Sequence, residues 1–222
     1  MKFIYIFTEG SYISEPKNLF KLMSQKLDEY FGILSQIYLP DDGELRDAEV
    51  QKVKDNPNYQ QILKAGWEII NSFNLISTLK KDEVYHSDIL KKWINGVREL
   101  AKDNHRVKIT DDCIGKLLAK YPINMKEAKG FPTEIYDMIE ETDSVQIKNA
   151  FEVQISNNLG FTSRGAFSGG NIERARAKYF ETLFEETKIT HPNVALIFKR
   201  LTNEFLSQAK REDEDALLRS LE

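Results

Sequence analysis

A single cysteine, Cys113, occurs in 222 residues, which rules out an intramolecular disulfide and any cysteine-based zinc cluster. Histidine is nearly as scarce, and His86, His105 and His191 are too far apart in the chain to show metal-ligand spacing. No apolar run exceeds about six residues, far short of the roughly 20 that span a bilayer. The opening MKFIYIFTEG carries one lysine and a short apolar core before Thr8 and Glu9, too little for a signal peptide. Charge of one sign is missing too: 31 Lys and Arg face 35 Asp and Glu, a net of −4, and a sequence pI near 5.6. Duplex DNA and anionic membranes call for a clustered basic excess, so both are argued against as partners. These absences lead to the expectation of a cytoplasmic chain with no metal site and no cofactor.

What the chain does contain is core material and helical spacing. At 41% hydrophobic and 11% aromatic it can fill a substantial interior. Leu19, Met23, Leu27, Tyr30 and Leu34 form one stripe, which Pro16 can start and Pro40 ends. Ile62, Trp67, Ile70, Phe73 and Ile76 form another over about 58–79, with Gly66 inside it. Further helices are expected over 86–103, 110–120, 132–141 and 143–158. Thr110 is the expected N-cap of one, Asp143 with Gln146 has the spacing of a capping box, and Pro132 and Pro192 suit first turns. Only KFIYIF has strand propensity.

The pattern therefore predicts an all-α protein: an irregular antiparallel helical bundle of about seven to nine helices, with at most one short N-terminal strand. The expected division is an N-terminal segment (1–40), a polar connection (41–57) and a main bundle (58–222). The last long helices are expected to pack around Phe151, Tyr179, Leu183, Phe198 and Phe205.

The densest punctuation is NNLGFTSRGAFSGGNIERAR, residues 157–176, which holds four of the eleven glycines. Gly160 suits a helix C′ position, where positive φ is needed. Gly169 and Gly170 then let the chain enter a helix carrying Ile172, Ala175, Tyr179, Leu183 and Phe184. The plain reading is a helix-to-helix junction. The functional one notes free N–H groups at a helix start, flexible glycines and nearby arginines, a setting suited to phosphate or carboxylate. Its candidate residues are Arg164, Gly165, Gly169, Gly170 and Arg174, with Arg176 alongside. No Lys-Ser/Thr follows the glycines, so this is not a Walker A loop, and no GxGxxG follows a strand.

Other chemistry-bearing residues are less pointed. Arg98 and His105 have a spacing seen in some helical ribonucleases, although two helical turns and KDN separate them. Asp41, Asp42 and Glu44, Glu140, Glu141 and Asp143, and the EDED at 212–215 lack EF-hand spacing and suit helix-end or solvated charge. Cys113, beside Ile114 in a helical stretch, suits a small core residue. His86 and His191 fall at expected helix starts.

From about Tyr30 onward, the order YFGILSQIYLPDD, WINGVREL, IGKLLAKYP, GFPTEIYDMIE, NNLGFTSRGAFSGGNIERA and KREDEDA resembles the C-terminal region of large bacterial proteins of no assigned function, known mainly from actinobacterial genomes. Asn157, Gly160, Arg164, Gly169, Gly170, Glu173 and Arg174 match that family's pattern, whereas Leu159 stands where the pattern has its first arginine. The resemblance implies the C-terminal module of a much longer polypeptide, and it implies no activity. Together these readings favour a non-catalytic helical docking module, presented to a protein partner or to the rest of a larger polypeptide. The alternative is a phosphate-bearing ligand, nucleotide or single-stranded nucleic acid, held at 160–176 in support of an enzyme domain elsewhere. A docking module should expose an apolar patch.

Overall fold

The computed structural model describes residues 17–54, 57–76, 80–81, 84–85, 87–127, 129–160, 165 and 168–221. The expected N-terminal strand, His86 and Arg164 lie outside these residues. Among those described the protein is all-α, with ten α-helices: α1 (Lys17–Gln25), α2 (Leu27–Ile37), α3 (Gly43–Lys54), α4 (Tyr59–Ser72), α5 (Ser87–Asp103), α6 (Val107–Leu118), α7 (Thr133–Thr142), α8 (Val145–Asn158), α9 (Asn171–Thr187) and α10 (Pro192–Ser220). A two-residue antiparallel pair, β1 (Lys80–Lys81) with β2 (Val84–Tyr85), sets Lys80 opposite Tyr85. No helix among the described residues is long and apolar enough to cross a membrane. The chain divides into two compact units, residues 1–117 and 118–222.

In the first unit α2 is the hub, packed by α1, α4 and α5. Phe73 meets Phe20 at 5.5 Å and Tyr30 at 5.4 Å between ring centroids, and Trp93 lies 4.8 Å from Tyr30. The Trp93 indole N–H donates to the Met23 carbonyl at 3.0 Å, satisfying an acceptor that the last turn of α1 leaves open. Lys26 beside it is extended (φ −124°, ψ 103°), so the first stripe forms two helices and not one. A Cβ on Gly66 would run into Ile37 Cγ2, so this glycine lets α4 approach α2 closely. Trp67, placed by periodicity with the core residues, is instead 56% exposed.

The expected polar connection at 41–57 contains α3, and the reason is capping. Asp42 Oδ1 accepts the Glu44 and Leu45 N–H groups at 3.0 and 3.1 Å, the geometry of an N-cap. Arg106, 5% exposed, then ties α3 down: its guanidinium reaches Glu49 at 2.6 Å and the carbonyls of Tyr38 and Asn104 at 3.1 and 3.0 Å. The two compact units divide at Leu117/Leu118.

Helix α6 starts at Val107, three residues before the expected cap at Thr110, because its cap comes from a distant residue. Asp41 Oδ2 accepts the Lys108 N–H at 3.0 Å. Thr110 consequently lies inside the helix, fully buried, and its hydroxyl has no hydrogen-bond partner. An unpartnered buried hydroxyl costs roughly 1–3 kcal/mol. Thr110→Val, of like shape and helix propensity, is expected to raise Tm by roughly 2–4 °C in thermal unfolding. A fall in Tm would show that the hydroxyl is bonded.

In the second unit α10 packs against α9, α8 and α7, with α9 as its main partner. Phe151, Tyr179, Leu183, Phe198 and Phe205 are all buried, as expected from the sequence. Phe180 stacks on Phe205 at 5.7 Å and on Phe198 at 6.1 Å, joining the two long helices. The cap of α8 is Ser144, whose Oγ accepts the Ile147 N–H at 3.3 Å. The capping box read at Asp143 is thus displaced by one residue, and Asp143 closes α7 in the left-handed region (φ 43°) while pairing with Lys148 at 2.8 Å.

The N-cap of α10, His191, provides no side-chain cap, and Pro192 occupies the first turn. Glu140 on α7 substitutes: Oε1 accepts the Val194 N–H at 3.0 Å and Oε2 accepts from Asn193 Nδ2 at 2.6 Å. A carboxylate at a helix N-terminus also opposes the dipole favourably.

Candidate functional site

The glycine-rich junction begins where α8 ends. Gly160 takes φ +62° and donates its N–H to the Asn157 carbonyl at 3.1 Å, the C′ geometry expected of it. Gly165 forms a small turn with Ser168, whose N–H and hydroxyl both donate to the Gly165 carbonyl, at 3.1 and 2.7 Å. Gly169 is left-handed (φ +56°) and Gly170 is the N-cap of α9.

A glycine is required at 170 for space and not for φ. A Cβ there would overlap the Ala209 backbone, with its carbonyl carbon at 2.6 Å. The start of α9 therefore crosses α10 at backbone contact, and this brings Asp213, one turn further along α10, to the open end of α9. Asp213 Oδ1 accepts the Gly170 N–H at 2.8 Å. Arg174 grips the same carboxylate with two donors, Nη1 to Oδ2 at 2.7 Å and Nη2 to Oδ1 at 3.2 Å, and also reaches Asn171 Oδ1 at 2.9 Å. Arg176 points elsewhere, donating to the Leu159 carbonyl at 2.9 Å with its guanidinium 5.6 Å from the Phe205 ring centre.

Three of the residues singled out in the sequence, Gly169, Gly170 and Arg174, thus come together, and Gly165 lies nearby in the turn. Gly170 and Arg174 do share an anionic partner, but it is the chain's own Asp213. Nothing local marks that residue among Glu212, Glu214 and Asp215 of the same charged run, and it lies 43 residues from Gly170. The Arg174 guanidinium and the Gly170 N–H hold the Asp213 carboxyl below its usual 3.8. A depressed carboxylate contributes stability above its ordinary value and loses it as pH falls through the lowered one. The Tm difference between the wild type and Asp213→Asn is therefore expected to be present at neutral pH and to vanish well below pH ~3.8 in an acid series. A difference that persists undiminished into strong acid would count against the pairing.

The other chemistry-bearing groups are engaged in holding helices together. Arg98, read with His105 as a ribonuclease-like pair, makes a two-pronged bond to the buried Asp111 at 2.8 and 3.2 Å, while His105 sits in a left-handed turn (φ 54°). Thr190 Oγ1, His191 and Asp137 lie in series, at 2.8 Å to Nδ1 and 3.0 Å from Nε2, an order of hydroxyl, imidazole and carboxylate that nucleophilic sites also use. Here the series sits at the start of α10, and the nearby Val194 N–H is bonded to Glu140 instead of being free for an oxyanion. Burial pushes the Tyr38 and Tyr136 phenols up to about 12, away from any role as a base near neutrality. Among the described residues no cluster of three His, Cys, Asp or Glu side chains is placed to hold a metal. The chain matches no protein-family model, no curated protein and no solved structure.

Proposed function

We propose that this chain is a non-catalytic helical docking module of a larger cytoplasmic bacterial protein, and that the end of α10 is its docking element. The observation that supports this is the fate of that helix. It runs for 29 residues, about 43 Å at 1.5 Å per residue. Its last buried side chain is Ala209, and beyond it Leu217, Leu218 and Leu221 are 62%, 63% and 76% exposed. Leu217 and Leu221 are four residues apart and Leu218 and Leu221 three, so they share a side of the helix. Covering three such side chains is worth up to about 5 kcal/mol, which an apolar groove between helices of the remaining polypeptide could supply. The rival phosphate-site reading is disfavoured because the Gly170 N–H and Arg174 already hold Asp213.

The test combines two measurements on the full chain. Partner capture should be lost in Leu217→Asp/Leu221→Asp while circular dichroism and Tm stay at wild-type values. Capture that is unchanged in the variant overturns the docking role of α10. Thermal-shift titrations with nucleotides, sulfate, short RNA and single-stranded DNA should show no saturating stabilisation. A saturating shift that disappears in Arg164→Ala or Arg174→Ala would replace this reading with the phosphate site.

A further inference from the structure

We infer that Asp213 is the latch of a hinged arm formed by the last three turns of α10. The hinge side of the arm is fixed by packing. Ala209 is buried, its backbone abuts Gly170, and Phe205 one turn earlier is stacked on Phe180. On the arm side no residue from Lys210 to Leu221 is buried. Hydrophobic burial therefore stops at the crossing point, and the remainder of the helix is held by polar contacts at the surface. Asp213, one turn past the crossing, reaches back to α9 with both oxygens, to one backbone N–H and to both ends of the Arg174 guanidinium.

Three properties make this a latch and not a rivet. The ion pair is half exposed on both sides, 45% for Arg174 and 46% for Asp213, so salt and competing anions can reach it. The Gly170 N–H it caps is the start of a helix, where any stronger anion is equally welcome. No side chain of the arm is itself buried, so the arm can open without pulling one out of the core while α9 and the rest of α10 stay paired. Local opening without global unfolding is what distinguishes such an element from the core beside it. The device stands whether or not the exposed leucines dock a partner, because it is defined by the contacts of Asp213 alone.

Hydrogen exchange followed by mass spectrometry on the full chain tests it, reading residues 210–217 against 192–205 in the wild type, Asp213→Asn and Arg174→Gln. The expected result is protection of 210–217 in the wild type, a loss of about tenfold in both variants, and a smaller loss for the wild type in about 1 M salt, all with 192–205 unchanged. The inference is overturned if 210–217 exchanges as free peptide in the wild type. It is overturned equally if the variants leave its rate alone, or if 192–205 loses protection to the same degree, since the pair would then be part of the core. Docking and latching fail separately: capture can be lost in Leu217→Asp/Leu221→Asp with exchange of 210–217 unaltered.

Discussion

Gly170→Ala is expected to destabilise the second unit by about 3 kcal/mol, a fall in Tm of roughly 6–12 °C in thermal unfolding followed by far-ultraviolet circular dichroism. The added methyl would overlap the backbone of Ala209, and a backbone cannot swing aside as a side chain does. Accommodating it means separating α9 from α10, the two helices that share the Phe180, Phe198 and Phe205 stack. Gly169→Ala is the matched control. There the new Cβ would lie 2.6 Å from Asp213 Oδ1, the end of a movable side chain, and the left-handed φ of +56° costs about 1–2 kcal/mol. The larger loss should therefore come from the residue with ordinary φ. Equal losses, or a shift under about 2 °C for Gly170→Ala, would show that the helices do not cross at backbone contact.

Phe73→Ala should cost about 3–5 kcal/mol, read as an early transition of the first unit in thermal or urea unfolding. Phe73 is fully buried and is touched by three other rings, those of Phe20, Tyr30 and Trp93. Two of those rings, Tyr30 and Trp93, also contact each other, and Trp93 is tied to the Met23 carbonyl, which opposes collapse into the space. Trp67→Ala removes a larger side chain six residues earlier in the chain and should change stability by no more than about 0.5 kcal/mol, because that ring is mostly in solvent. Comparable losses from the two substitutions would mean that Trp67 has a partner in solution.

The contrast between Phe73 and Trp67 also shows how much could be seen in the sequence. Apolar spacing marks which segments are helices and which face of each is buried, and it placed Phe151, Tyr179, Leu183, Phe198 and Phe205 in one core. It does not distinguish a large apolar residue on the margin of a stripe from one at its centre, and Trp67 lies on the margin. Helix α3 was hidden for a different reason. Its segment GELRDAEVQKVK has few apolar residues, and it is held by Arg106 and by the cap at Asp42. The break at Lys26 carries no glycine or proline, and goes with a tertiary bond from Trp93.

At the junction the same division applies. The glycines at 160, 169 and 170 were visible because backbone geometry and close approach each demand that residue type. The carboxylate that Gly170 bonds was not, since acidic residues are common and the pairing spans 43 positions. Each acidic cluster, at first sight only solvated charge, supplies one residue that caps a remote helix: Asp41 for α6, Glu140 for α10 and Asp213 for α9.

Those remote caps bear on the order in which the chain acquires its structure during synthesis. A helix with a local cap, such as α8 with Ser144, can close its first turn as soon as that stretch has emerged. For α9 the carboxylate cap must wait for Asp213, 43 residues later. At about 5–20 residues per second that is a delay of roughly 2–9 s, during which Gly170 and Arg174 have no carboxylate from α10 to bind. Helix α6 has the opposite timing, because Asp41 is made 67 residues before the N–H of Lys108 that it accepts. The first unit can therefore complete its long-range caps as it is made, whereas α9 in the second completes its own only when its last helix is nearly finished.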